Sequence, residues 1–298
     1  MANDPAGEGG WVRVIPAAFE YERAESAEHA VELLGEHGDE AKLIAGGHSL
    51  LPLMKLRLAR PSVLIDIDRL SDLEYVREAG DKIEIGALTR IADVASNPLL
   101  AQHNPLVAFA AGEVGDPQVR HRATIGGSLA HGDPASDPPS VMLTLDAELV
   151  IRGPSGERTV PPAGFFKSLF ETDLGPQEVL TAVRVPKLAP RTGWSYLKFH
   201  RRALDWAIVG VAAVVQRSNG QIAKAAIGLT NMGSTPLRAS GVEQALSGAQ
   251  ASDQAIAAAA EHAPEGTDPV SDTNASAEYR TELSKVLVRR AIQEALSR

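Results

Sequence analysis

The hydrophobic spacing of this chain changes once, near Val179, and that change narrows the folds open to it. Before residue 90, helix-like and strand-like segments alternate. Ser26 is placed to cap a helix whose apolar positions Ala27, Ala30, Val31 and Leu34 recur at helical spacing, with Gly35 and Gly38 placed to stop it. A short strand over 42–45, a helix over 50–59, a buried strand at "VLIDI" (63–67) and an alternating strand at "KIEIGAL" (82–88) follow. A helical stretch around 99–114 and a helix over 138–145 come next, and "AELVIRGPSGERTV" is a hairpin turned at Pro154, Ser155 and Gly156. From Val179 strand follows strand, at "VLTAVRVP", "WSYLKFHRR", "WAIVGVAAVVQR" and "IAKAAIGLTNM", with "SNG" (218–220) as a turn. That predicts an antiparallel sheet. Two helices close it, one alanine-rich after Asp253 and one from about Ser276 with Leu283, Val286, Leu287 and Ala291 on one face.

The 298 residues are enough for two or three modules at about 100–200 residues each. Residues 1–10 are small, polar and glycine-rich and are expected to be disordered. With 38 acidic against 29 basic side chains the net charge is −9, a field that repels nucleic acid and anionic lipid. No cysteine occurs, so the chain cannot hold a disulfide, a thiolate zinc site or a cysteine-ligated iron–sulfur cluster. No apolar run approaches the roughly 20 residues of a membrane span, and the N-terminus lacks the pattern of a signal peptide. A cytoplasmic protein is expected.

Two glycine pairs carry the chemistry. In "IAGGHSLLPLMKLRLARP" the pair Gly46-Gly47 can take positive φ cheaply, so neighbouring N–H groups can converge into an anion nest. Ser49 stands where an N-cap belongs, and Pro52 falls in the first helical turn. In "TIGGS" the pair Gly126-Gly127 is again flanked by hydroxyls, and Asp137 before Pro138 is placed to cap the next helix. Two such loops suit the two sides of one diphosphate; two unrelated strand-to-helix turns are the alternative. Neither is a G-x-G-x-x-G fingerprint or a P-loop, so a different nucleotide fold is implied. Arg120, His121 and Arg122 either offset phosphate charge or form a solvated basic face. The histidines at 29, 37, 103 and 262 have no metal-ligand spacing, and "GHSLL" is no nucleophile elbow.

In the order and spacing of "FEYERAESAEHAVELL", "AGGHSLLPLMKLRLARP", "IGALT", "DPQVRHRATIGGSLAHGDPASDPP", "EVLTAVRVP" and "AEYRTELSKVLVRRAI", the chain resembles the medium, flavin-carrying subunits of molybdenum hydroxylases. These include aerobic carbon monoxide dehydrogenases and relatives of xanthine dehydrogenase. The resemblance implies an α+β chain with the FAD-binding fold of vanillyl-alcohol oxidase and p-cresol methylhydroxylase, built of two α/β subdomains, followed by a C-terminal antiparallel sheet with helices. The boundaries expected are 11–60 and 61–178 for the subdomains and 179–298 for the C-terminal domain.

Carried over by position, Ala45, Gly46, Gly47, His48, Ser49 and Leu50, together with Thr124, Ile125, Gly126, Gly127 and Ser128, become the pyrophosphate and ribityl loops. Asp133 and Asp137 would bond sugar or ribityl hydroxyls, Leu180 would line the ring pocket, and Lys198 would place an ammonium near the flavin's polar edge. Trp206 would shield one flavin face by stacking, or else be a core aromatic at the head of a buried strand. Carbon monoxide dehydrogenases are expected to have tyrosine at Trp206 and asparagine at Ser128, which leaves the substrate branch open. The implied reaction is a relay. A molybdenum cofactor in a large subunit oxidises substrate, [2Fe–2S] clusters in a small subunit carry single electrons, and noncovalent FAD here passes pairs to a quinone or another acceptor. The expected assembly is a dimer of heterotrimers, associated peripherally with the inner membrane. A stand-alone FAD-dependent oxidase and a non-catalytic nucleotide-binding module are the alternatives.

Overall fold

Three large sheets and one two-stranded sheet organise the described residues; the first is parallel and the others are antiparallel. A computed structural model describes residues 15–298, so the expected disorder of 1–10 and the start of the 11–60 module lie outside the described residues. In the first sheet the buried strand Val63–Asp66 lies between Glu20–Arg23 and Ala41–Ile44, all parallel. Parallel strands need crossovers, and the helix Ala27–His37 supplies one. Ser26 caps it by accepting from the His29 N–H, and Gly38 ends it at φ 55°. Gly35 does not stop it.

The middle sheet is antiparallel, in the order Val76–Ala79, Lys82–Gly86, Val179–Pro186, Glu148–Gly153, Gly156–Val160. Helices Ile91–Ser96, Pro98–His103 and Pro105–Gly112 cover it with a core of Ile83, Ile85, Leu106, Leu149 and Val183. The strand Val179–Pro186 was expected to open the C-terminal sheet. It is instead the central strand of the middle one, because its neighbours are the apolar strands 82–86 and 148–153. The 60/61 and 178/179 boundaries therefore do not match the sheets: the first sheet includes 63–66, and the middle sheet extends to Pro186.

The C-terminal sheet runs Thr192–Phe199, Val209–Ser218, Gln221–Thr230, Leu237–Arg238. The helix Ala277–Ser297 packs on it through Leu287, Val288, Ala291, Ile292 and Ala295. Val286, expected on that face, is exposed, since the buried stripe follows 284, 287, 288 and 291. Gly193 makes the closest approach: a Cβ there would stand 1.7 Å from the Ala295 carbonyl oxygen. The helix Asp137–Thr144 ties the middle domain to this sheet in the same way, for a Cβ at Gly228 would meet Thr144 Oγ1 at 2.1 Å.

Gly193→Ala is expected to lower stability by about 1–3 kcal/mol through overpacking. Gly112→Ala, with nothing within 4 Å of the added Cβ, should be neutral or slightly stabilising in the same denaturant titration. Acid sensitivity is expected at Glu84, whose carboxylate meets Tyr75, Arg77 and Arg184. Burial raises this carboxyl, but the hydrogen bonds from Arg184, Tyr75 and Arg77 outweigh it, and it titrates below the ordinary value of 4.5. A depressed folded pKa adds stability above the unfolded value that is lost as pH falls through the folded one. Glu84→Gln should accordingly flatten the acid limb of stability against pH.

Candidate functional site

The two glycine loops meet. A Cβ on Gly46 would lie 1.9 Å from the Arg122 carbonyl oxygen, so only glycine lets the first loop reach the backbone leading into the second. Arg90 stitches this junction, donating to the Arg122 carbonyl at 2.7 Å and pairing with Asp68 at 2.8 Å. Arg122 is exposed and lies 3.5 Å from the same aspartate, while Arg120 is spent on the carbonyls of Val114 and Gly115.

Chemically the loops are unequal. In the first, Gly47 has φ 74°, and the backbone N–H groups of Gly46, Gly47, His48, Ser49 and Leu50 find no acceptor among the described residues. The His48 ring leans back on the Gly46 carbonyl at 3.1 Å. Ser49 occupies the N-cap position of the helix Leu50–Lys55 but makes no side-chain cap bond, and the helix ends at Lys55 rather than 59. A row of open donors on a turned backbone fits an anionic group such as a diphosphate.

The second pair departs from expectation. Gly126 and Gly127 do not take positive φ; they lie in the helix Ile125–His131. Its N–H groups are already spent: Ile125 on Thr89, Gly126 on Ala87, Gly127 on Thr124 Oγ1, and Ser128 on the Thr124 carbonyl. Gly126 is required for space, since its Cβ would stand 2.5 Å from that of Ala87. This segment offers no second row of open donors.

The helix Ile125–His131 spans about 10 Å at ~1.5 Å per residue. Beyond its C-terminus, where Gly132 takes φ 65°, lies a cavity of about 410 Å³. Asp133, Arg201, Arg202, Trp206, Asn231 and Arg280 are among its walls. Trp206 is 61% exposed, so it is no core aromatic. Asp133 uses one oxygen to accept from the Ala135 N–H. Leu180 does not reach this cavity; it is buried among the core side chains of the middle domain.

Asp137 and Lys198 find each other. Lys198 Nζ donates to Asp137 Oδ2 and to the Glu113 carbonyl, both at 2.8 Å, and the Tyr196 hydroxyl donates to Asp137 Oδ1 at 2.5 Å. Asp137 is thus neither the N-cap, which is Ser136, nor open to a sugar hydroxyl. Burial pushes its carboxyl up, against the Lys198 ammonium and the two hydrogen bonds. Tyr196 is raised well above 10, by burial and then by Asp137. Tyr196 escaped notice in the sequence, although it lies two residues before Lys198 and so on the same face of the strand. Arg280 was missed too; it sits at 1% exposure on the apolar face of its helix, donating to the Ile208 carbonyl and to Asp272.

A mixed α/β region with one open row of backbone donors is followed by an antiparallel sheet domain, and comparison with known proteins gives the class to which this architecture belongs. Residues 17–188 match the family "FAD binding domain in molybdopterin dehydrogenase", and residues 194–295 match "CO dehydrogenase flavoprotein C-terminal domain". The gap between them coincides with the break between the middle and C-terminal sheets. The chain is 44% identical to the carbon monoxide dehydrogenase medium chain of Hydrogenophaga pseudoflava, over 96% of this chain and 99% of that one. It is 40% identical to the 6-hydroxypseudooxynicotine dehydrogenase complex subunit alpha of Paenarthrobacter nicotinovorans, over 95% and 96%. A solved structure of the Hydrogenophaga pseudoflava carbon monoxide dehydrogenase that lacks the Mo-pyranopterin moiety superimposes with a TM-score of 0.93 at 45% identity, covering 95% of this chain and 99% of that one. The chain belongs to the FAD-binding medium subunits of the molybdenum hydroxylase family.

Gly47→Val is expected to abolish FAD binding, because φ 74° strains a β-branched residue and the added Cβ would stand 2.9 Å from Leu51 Cδ1. Gly127→Ala meets only Thr124 Oγ1, at 2.8 Å, and should weaken binding by no more than about tenfold, the scale of a disturbed helix cap. Flavin released by acid, measured per mole of chain, separates the two; the reverse order would contradict the assignment of the open loop.

Proposed function

We propose that this chain is the FAD-carrying electron-transfer subunit of a molybdenum-containing hydroxylase, with a carbon monoxide dehydrogenase as the complex it serves. The observation that carries the proposal is the open row of N–H groups from Gly46 to Leu50, held against the backbone at Arg122. Bound FAD supplies exchange between one-electron and two-electron chemistry.

The chain's own residues hold and tune it. The first loop binds the diphosphate, with Ala45 and Thr124 at its edges. The helix Ile125–His131 and the half-buried Ser128 line the ribityl stretch, and the free oxygen of Asp133 accepts from a hydroxyl. Lys198, buried and spending two of its three N–H donors on Asp137 and the Glu113 carbonyl, holds the C-terminal sheet to the middle domain rather than reaching the ring itself. Trp206 covers a ring face and excludes water. FAD is held noncovalently on this reading, since no cysteine exists to anchor it and neither His48 nor His131 stands in a covalent-attachment motif; flavin that stays with the polypeptide after acid denaturation would instead point to a histidyl link.

The lack of cysteine also supports a division of labour. Electrons reach this chain from [2Fe–2S] clusters in a small subunit and originate at the molybdenum cofactor of a large one. They leave to a quinone or another external acceptor. The complex works in the cytoplasm as a dimer of heterotrimers, associated peripherally with the inner membrane. No helix among the described residues is long and apolar enough to cross a membrane.

The test is anaerobic bleaching of the flavin band by carbon monoxide, purines and N-heterocycles, with this chain alone and then with its partner subunits. Bleaching by carbon monoxide only in the reconstituted complex is expected. Bleaching of the isolated chain would establish a stand-alone oxidase instead.

A further inference from the structure

The helix that leaves the first glycine loop ends in an unusual way. Leu58 N–H bonds the Leu53 carbonyl at 2.9 Å and Arg57 N–H bonds the Met54 carbonyl at 3.0 Å, the two bonds of a Schellman motif. The residue in the left-handed position is Arg57, at φ 59°, where glycine is the usual occupant. Such a motif normally buries its C″ side chain against the last turn. Here that side chain is Leu58, which is 73% exposed, and Leu56 and Leu51 are exposed beside it. The buried Arg57 Nε has no hydrogen-bond partner among the described residues. Backbone strain, an orphaned buried donor and an uncovered apolar contact thus coincide in one turn.

The charge there is also out of character. No acidic residue occurs between Glu40 and Asp66, a stretch that holds Lys42, Lys55, Arg57 and Arg60, although the whole chain carries −9. An apolar centre with a cationic rim is the anatomy of a protein interface. The −9 charge of this chain disfavours anionic lipid as the occupant and leaves membrane contact to the other subunits of the complex, whereas a protein partner covers only the patch.

We infer that the turn 51–60 is the docking surface for another subunit of the complex, one that offers an acidic face with an apolar centre. The inference rests on the subunit role proposed above. Two of the named relatives are themselves a medium chain and a complex subunit. A partner seated here would lie directly against the loop that binds the diphosphate, since Leu51 packs near Gly47.

The test co-expresses the full chain with its partner subunits and compares two variants. Leu56→Ser/Leu58→Ser/Arg60→Glu changes only exposed side chains. It should retain its flavin per chain and yet associate at least tenfold more weakly, with wild-type association weakening as salt rises. Arg57→Gly relieves the left-handed strain while removing the guanidinium, so its Tm should hold or rise as association falls. Wild-type assembly by both variants would overturn the docking surface. So would intact assembly with lost binding to phosphatidylglycerol vesicles, which would assign the patch to lipid, or with lost self-association, which would assign it to a second copy. If the wild-type chain itself forms no complex, the subunit role fails and the docking surface with it.

Discussion

The close approach of Gly46 to the Arg122 carbonyl is the contact on which the site depends. It brings the end of the parallel sheet against the backbone that feeds the helix Ile125–His131, and no side chain fits between them. Because the two segments touch there, the open N–H groups of 46–50 lie beside the backbone that leads into the second glycine pair. One segment provides donors and the other provides shape. A symmetrical grip from two nests would have required the N–H groups of 125–128, and those already satisfy Thr89, Ala87 and Thr124.

The second joint is polar and buried. Lys198, Asp137 and Tyr196 link the C-terminal sheet to the helix Asp137–Thr144 and, through the Glu113 carbonyl, to the end of the helix Pro105–Gly112. Ser140 and Thr230 continue the network at 2.5 Å. Breaking a buried ion pair by removing one partner leaves an uncompensated charge, which costs far more than the intact pair contributes. The network therefore ties the C-terminal sheet to the middle domain at Lys198, a few residues before the cavity-lining Arg201, Arg202 and Trp206.

Much of the fold was legible in the sequence because period and caps are local. The Ser26 cap, the strand at 63–66, the hairpin at 148–160 and the long final helix all follow from neighbouring residues. Sheet membership is not local: "VLTAVRVP" looks the same whichever strands flank it, so its place in the middle sheet could not be read. The glycine pairs meet in the structure, but identical dipeptides hid different backbone roles. Gly47 is needed for its φ, and Gly46 and Gly126 for close backbone approach. The pattern Asp-Pro suggested a cap at Asp137, whereas the pairing with Lys198 depends on residues 61 positions apart in the chain. The family resemblance singled out Lys198 and Trp206 alike, and only the structure separates the buried one from the exposed one.

The division between an open loop and a spent one is the central claim, and amide hydrogen exchange tests it most directly. The exchange of individual amides would be followed in the FAD-free and FAD-loaded chain. The account predicts that FAD slows exchange at Gly46, Gly47, His48, Ser49 and Leu50, while 125–128 are protected in both states. New protection confined to 125–128, with 46–50 unchanged, would contradict it.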